Sequence, residues 1–201
     1  MYIIRTVSQN EPKMIRRKLP VVLDRDEASL LLKQPSKRYP TGTRNKAIMS
    51  LMLNCGLRLS EVTNLKPSAI NLTKGLLRVV NGKGGKDRDL AVPEYAVALL
   101  DSWRSIKPKS NYFFSTLDGK KLSERYVQQM VKRYGKKAGI SKNISPHTLR
   151  HSYATEFYRS TKDIETLKHI LGHSDISTTT IYITLANIEV EKAMKSFNGF
   201  V

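Results

Sequence analysis

Leu76-Leu77-Arg78-Val79-Val80, then Asn81-Gly82-Lys83-Gly84-Gly85-Lys86, then Arg88-Asp89-Leu90-Ala91-Val92 is the stretch that decides the fold class. The two outer runs carry the branched and apolar residues that suit a pleated strand. The segment between them carries the asparagine and glycines of a turn. The reading is a β-hairpin with a mobile, basic, glycine-rich tip. Tyr112-Phe113-Phe114 offers a third short strand. On either side of this region the pattern changes from alternation to helix spacing.

Upstream, Asp24 followed by Glu27 makes a capping-box pattern ahead of Ala28, Leu31 and Leu32. Residues 44–55 repeat apolar positions at Ala47, Ile48, Leu51, Met52 and Cys55, and Gly56 ends the run. A short helix follows at about residues 60–65 and stops before Pro67. Downstream, Ser123 caps a run with Tyr126, Val127, Met130, Val131 and Tyr134, ended by Gly135 or Gly139. Ser145-Pro146 is a good N-cap and first-turn pair for a helix with Leu149, Tyr153 and Phe157 inward. Residues 163–171 form another helix, closed by Gly172; a short one covers about 177–184, and 186–197 carries Val190, Met194 and Phe197 at helix spacing. The sum is a mainly α domain with one small antiparallel β-sheet, an α+β fold, without internal repeats or low-complexity segments.

Composition narrows the function. In 201 residues, 35 Lys and Arg stand against 17 Asp and Glu, a net charge of +18. Such a charge implies a polyanionic partner, either nucleic acid or an anionic membrane face. With 40% hydrophobic residues the chain buries a real core, which excludes a basic disordered tail. The single cysteine, Cys55, excludes an intramolecular disulfide and a cysteine-based zinc site; among Ile48, Leu51 and Met52 it reads as a core residue. No apolar run approaches the ~20 residues of a membrane span. Met1-Tyr2-Ile3-Ile4 is too short for a secretion signal, and no long basic amphipathic helix suggests membrane-surface binding. The expectation is a cytoplasmic protein without a membrane partner. Residues 1–19 end in Lys13, Arg16, Arg17 and Lys18 before Pro20. They read as a tail or linker, either a solvated charge run or an arm laid against DNA.

Four places carry candidate chemistry. His147 and Arg150 lie three apart in the first turn of a helix, so they project together where the helix N-terminus adds positive potential, a plausible phosphate site. A histidine in so basic a chain often has an arginine near it by chance. His173 falls in the turn after Gly172, where a plain surface histidine is the common case, and Tyr182 sits among apolar neighbours, where a core tyrosine is the common case. Arg58 stands between Leu57 and Leu59, with Glu61 one helical turn on to hold its guanidinium; an ordinary surface pair is the alternative. Lys83 sits between two glycines at the hairpin tip, either solvated or carried by the loop to a phosphate.

Taken together and in this order, Arg58, Lys83, His147, Arg150, His173 and Tyr182 resemble the signature of the tyrosine recombinases, the λ-integrase family. The local strings agree. They are Gly56-Leu57-Arg58-Leu59-Ser60-Glu61, Gly82-Lys83-Gly84, Ser145-Pro146-His147-Thr148-Leu149-Arg150-His151, Leu171-Gly172-His173-Ser174 and the Tyr182 segment. Within the family the likeness is to the Xer-type catalytic domain.

The resemblance implies a tail at 1–19, a catalytic domain at 20–184 with the tyrosine recombinase fold, and at 185–201 a C-terminal helix of the kind that members exchange with a neighbouring protomer. A helix kept within one chain is the alternative. It also implies a site-specific recombinase or integrase that breaks and rejoins double-stranded DNA through a 3′-phosphotyrosyl intermediate, with no metal, nucleotide or other cofactor. Arg58, Arg150 and His173 would hold the phosphate, Tyr182 would be the nucleophile, His147 its base and Lys83 the acid for the leaving 5′-hydroxyl. Partners implied are DNA, further copies of the chain in a tetramer on DNA, and accessory DNA-binding proteins, at the nucleoid. Most members of the family carry a separate helical domain ahead of the catalytic one, and against that pattern this chain reads either as half of a clamp, the other half having been trimmed away, or as a minimal member. A type IB topoisomerase-like nicking-closing enzyme and a catalytically idle DNA-binding regulator are the alternatives.

Overall fold

The computed structural model describes residues 19–80, 87–172, 179 and 181–196, with the backbone alone at 188–193. Helix α1, Arg25–Lys33, begins at the expected box: Glu27 N donates to Asp24 Oδ1 at 2.8 Å and Asp24 N to Glu27 Oε2 at 3.0 Å. Helix α2, Pro40–Cys55, starts earlier than its apolar repeat because Pro40 fits the first helical turn, whose N–H has no partner to lose. It is buried on nearly all sides and packs against its neighbours through Ala47, Ile48, Met49, Leu51, Met52 and Cys55. Helix α3, Leu59–Asn64, follows after Gly56.

The sheet is antiparallel in the order β1-β2-β3: Ile70–Asn71, Leu76–Val79 and Arg88–Ala91. Leu77 faces Leu90 and Val79 faces Arg88, all four buried, while Leu76, Arg78 and Asp89 are exposed. The hairpin is thus the expected one, with its tip, residues 81–86, outside the described residues. The third strand is β1, and Tyr112-Phe113-Phe114 is not a strand. Phe113 and Phe114 are both buried, packed edge to face with ring centroids 5.0 Å apart. A strand would send adjacent side chains to opposite faces. Trp103 Nε1 donates to the Phe113 carbonyl at 2.8 Å and fixes this corner.

Trp103 belongs to α4, Glu94–Arg104, a helix absent from the expected elements; Ala96, Leu99, Leu100 and Trp103 form its buried face. Helix α5, Glu124–Lys137, is capped by Ser123 and ends before Gly139, at φ 71°. Gly135 does not stop it: a Cβ there would lie 2.4 Å from the Ile144 side chain, so the glycine allows a close approach. Helix α6, Pro146–Thr161, has Ser145 as N-cap, and α7, Ile164–Leu171, has Asp163 as N-cap and Gly172 in the left-handed region as C-cap. The two short C-terminal helices expected from the sequence are one, α8, Ile181–Ser196, which runs without a break past residue 185.

Two apolar clusters result. The larger is built on α2, the sheet, α4 and α5. The smaller joins Ala154 of α6, Leu167 and Leu171 of α7, and Tyr182 and Leu185 of α8. Of the candidate residues, Arg58, His147, Arg150 and Tyr182 lie along the seam between them. Among the described residues no helix is long and apolar enough to cross a membrane.

Candidate active site

The seam is organised by the C-terminus of α7. The last carbonyls of a helix have no partner within it and carry the negative end of its dipole. Here three consecutive carbonyls each accept from a different arginine. Arg88 Nε donates to Ile170 O at 2.6 Å, Arg150 Nη2 to Leu171 O at 2.7 Å, and Arg58 Nη2 to Gly172 O at 2.9 Å. Gly172 turns the chain at φ 61° and so leaves these oxygens facing the arginines.

A single carboxylate completes the cluster. Glu61 accepts from Arg58 Nη1 at 2.9 Å and from Arg58 N at 2.8 Å, and it takes a two-pronged contact from Arg88 at 3.0 and 2.9 Å; Arg150 Nη1 lies 4.0 Å away. Burial pushes the Glu61 carboxyl up, but hydrogen bonds from Arg88 and the Arg58 N–H, with the charges of Arg88 and Arg150, more than reverse this and hold it below the usual carboxylate range. Arg150, buried on α6, also donates to the Gly56 carbonyl. Burial and the neighbouring Arg58 charge bring its pKa down to about 10, so it stays protonated near neutrality. Three guanidiniums around one carboxylate leave a net positive site. Arg58 is its open side, with a third of its side chain exposed against 2% for Arg88 and 6% for Arg150. Bidentate guanidiniums match the non-bridging oxygens of a phosphodiester.

Tyr182 meets this cluster from the first turns of α8. It is 1% exposed, within the smaller apolar cluster, and its hydroxyl lies 3.0 Å from His151 Nδ1. Burial raises its pKa, while the charges of Arg150 and Arg58 pull the other way. His151, half-buried, is held down at about 4 by burial and by the charges of His147 and Arg150, so its imidazole is neutral. His147 lies one turn nearer the start of α6, exposed, its ring centroid 6.5 Å from that of His151.

The structure therefore brings Arg58, Arg150, His147 and Tyr182 to one place. Lys83 and His173 lie outside the described residues. Two residues of the cluster escape a reading of the sequence. Arg88 could have been found, because alternation with inward Leu90 places it on the buried face of β3, where a charge needs a partner. His151 follows directly on Arg150, but nothing in its spacing points to Tyr182.

Comparison with known proteins identifies the family. Residues 21–188 match the phage integrase family. A tyrosine recombinase XerD of Staphylococcus epidermidis is 34% identical over 200 residues, 96% of this chain and 67% of the relative, and one from Staphylococcus aureus matches equally. Among solved structures, XerA recombinase superposes with a TM-score of 0.77 at 34% identity, covering 90% of this chain and 67% of that one. The XerH site-specific recombinase, bound to a palindromic difH substrate in a post-cleavage complex, superposes with a TM-score of 0.75 at 28% identity, covering 89% and 54%. The family match over residues 21–188, the 34% identity to the XerD relatives and the superposition on XerA place this chain in the phage integrase family, as a Xer-like tyrosine recombinase catalytic domain.

Proposed function

We propose that this site cleaves and rejoins double-stranded DNA, with the Tyr182 hydroxyl attacking a phosphodiester to form a 3′-phosphotyrosyl intermediate. The observation that carries the assignment is the meeting of Tyr182 with Arg58 and Arg150. The charges of both arginines draw the tyrosine's pKa down against its burial, and their guanidiniums are fixed by Glu61 and the α7 carbonyls. As negative charge builds on the phosphate oxygens, prepositioned guanidiniums stabilise it without reorganising. Lys83, on the hairpin tip, protonates the departing 5′-oxygen, and His173 donates a hydrogen bond to the phosphate. The resemblance gives the phenol proton to His147. The phosphotyrosyl bond conserves the energy of the phosphodiester, so a 5′-hydroxyl of a second strand can attack it and release Tyr182 without metal or nucleotide. Strand exchange between duplexes requires several copies of the chain, assembled as a tetramer on DNA at the nucleoid. Residues 185–201, α8 from its second turn onward and the residues after it, are the segment a neighbouring protomer would take up.

The test is a denaturing gel of the protein incubated with nicked duplexes selected for binding from a random-sequence pool. Wild type should give a covalent protein–DNA adduct, insensitive to EDTA. Tyr182→Phe should retard DNA but form none. An adduct with Tyr182→Phe would remove Tyr182 from its role, and inhibition by EDTA would turn the assignment towards a metal nuclease.

A further inference from the structure

The Tyr182 hydroxyl is held by a histidine other than the one in the resemblance. His151 Nδ1 lies 3.0 Å from Tyr182 Oη, with the two ring centroids 5.8 Å apart. His147 stands one helical turn away, exposed at the start of α6, its ring centroid 6.5 Å from that of His151. The groups that face His151 are His147, Arg150 and Tyr182. Burial first, then His147 and Arg150 beside it, keep its imidazole neutral, with its pKa at about 4. A neutral imidazole has one nitrogen free to accept a proton. If Nε2 carries the ring hydrogen, that nitrogen is Nδ1, already at hydrogen-bond distance from the nucleophile.

We propose that His151 is the proton acceptor for the Tyr182 nucleophile. As the Oη–phosphorus bond forms, the Oη–H bond breaks and its proton passes to His151 Nδ1; the phosphorus–O5′ bond breaks and O5′ takes a proton from Lys83. In rejoining, the attacking 5′-hydroxyl returns its proton to Lys83, and the imidazolium gives its proton back to the released tyrosine. The scissile phosphate supplies what the free protein lacks, an anion beside the ring that favours the protonated imidazole. Tyr182 is activated without first becoming a free phenolate in a buried site, where burial opposes that charge. This inference rests on Tyr182 being the nucleophile.

The experiment measures the single-turnover rate of adduct formation on the same nicked duplexes, at saturating protein, between about pH 6 and pH 9. With His151 as base the wild-type rate is nearly flat over this range. His151→Leu should be slower by about 10²- to 10⁴-fold, the usual contribution of a general base. Its rate should climb about tenfold per pH unit, since hydroxide must then ionise the phenol. His151→Asn keeps a hydrogen-bond acceptor near the place of Nδ1 but has no basicity, and it should behave like His151→Leu. Rates within about threefold of wild type for His151→Leu, or a wild-type rate for His151→Asn, would overturn the proposal, the latter by showing that the ring only positions the tyrosine. A hydroxide-dependent profile in His147→Leu but not in the His151 variants would move the base to His147 and overturn it as well. DNA retardation by each variant confirms that it is folded. An adduct in Tyr182→Phe would instead bring down the nucleophile assignment on which the proposal stands.

Discussion

Glu61 carries one negative charge among three guanidiniums, and its worth follows from what its loss would leave. Arg88 is buried, and apart from Glu61 its described guanidinium contact is the Ile170 carbonyl. Removing one member of a buried ion pair strands the other and costs about 3–5 kcal/mol. Glu61→Gln should therefore lower the melting temperature markedly and release Arg58 from the geometry in which two contacts hold it. The pH dependence has a definite sign. The folded-state pKa of Glu61 lies below the ordinary carboxylate value, so the ionised form is favoured by folding. Its contribution is complete above the ordinary carboxylate range and is lost as the pH falls through the folded value. Melting temperature followed from neutral to acid pH should fall less steeply for Glu61→Gln than for wild type. An equally steep acid limb would mean that Glu61 does not couple to folding in this way. Arg44 makes a useful contrast. It too is buried, yet it donates to the Ser115 carbonyl, Asn45 Oδ1 and the Tyr126 hydroxyl, so it stabilises packing between α2 and α5 without feeding the site.

At the scale of elements, what is legible in the sequence is what the side chains themselves encode. Asp24 with Glu27, Ser123, and Ser145 with Pro146 mark three helix starts because capping is side-chain chemistry. The hairpin is legible from alternation around its glycines. The spacing of Ala96, Leu99, Leu100 and Trp103 in α4 is equally present in the sequence, but the helix follows a strand with only Val92 and Pro93 between them, which hides its start. The site is half legible for a different reason: Arg58 and Arg150 are held mainly by carbonyls of residues 56, 171 and 172, and a carbonyl has no identity in a sequence. Gly56 shows the consequence. It sits at φ 63°, its carbonyl accepts from Arg150, and a Cβ there would lie 2.5 Å from the Tyr153 ring. Left-handed backbone costs an L-residue roughly 1–2 kcal/mol, and the displaced ring adds to it. Gly139 is the control, with φ 71° and nothing within 4 Å of where a Cβ would stand. Gly139→Ala should lower the melting temperature by a few degrees, and Gly56→Ala by more, with loss of adduct formation. Equal shifts in the two variants, with the adduct retained, would show that the Gly56 turn does not hold Arg150.

For the whole molecule the question is where a charge of +18 resides and what it does. Arg44 and Arg88 are buried and committed to interior partners, so they cannot meet a phosphate backbone as mobile counter-charges. Most of the remaining described cations are exposed. Helix α5 alone presents Arg125, Lys132, Arg133, Lys136 and Lys137 to solvent, opposite the face that packs Val127, Met130 and Val131. The division implies two separable effects of salt. Binding is dominated by the exposed cations, which displace counterions from DNA. The observed association constant should fall linearly on a log–log plot with a slope of about −0.9 per phosphate neutralised, a loss of about 10³- to 10⁵-fold between 50 and 200 mM salt for six to ten contacts. Adduct formation by DNA already bound depends on the buried arginines and Glu61, which salt screens far less. Single-turnover cleavage at saturating protein should therefore change little over the range in which affinity collapses. Titrating salt in both assays separates the two. A flat affinity would contradict phosphate-driven binding, and a cleavage rate that falls in step with affinity would show that the catalytic arginines are as open to solvent as the surface ones.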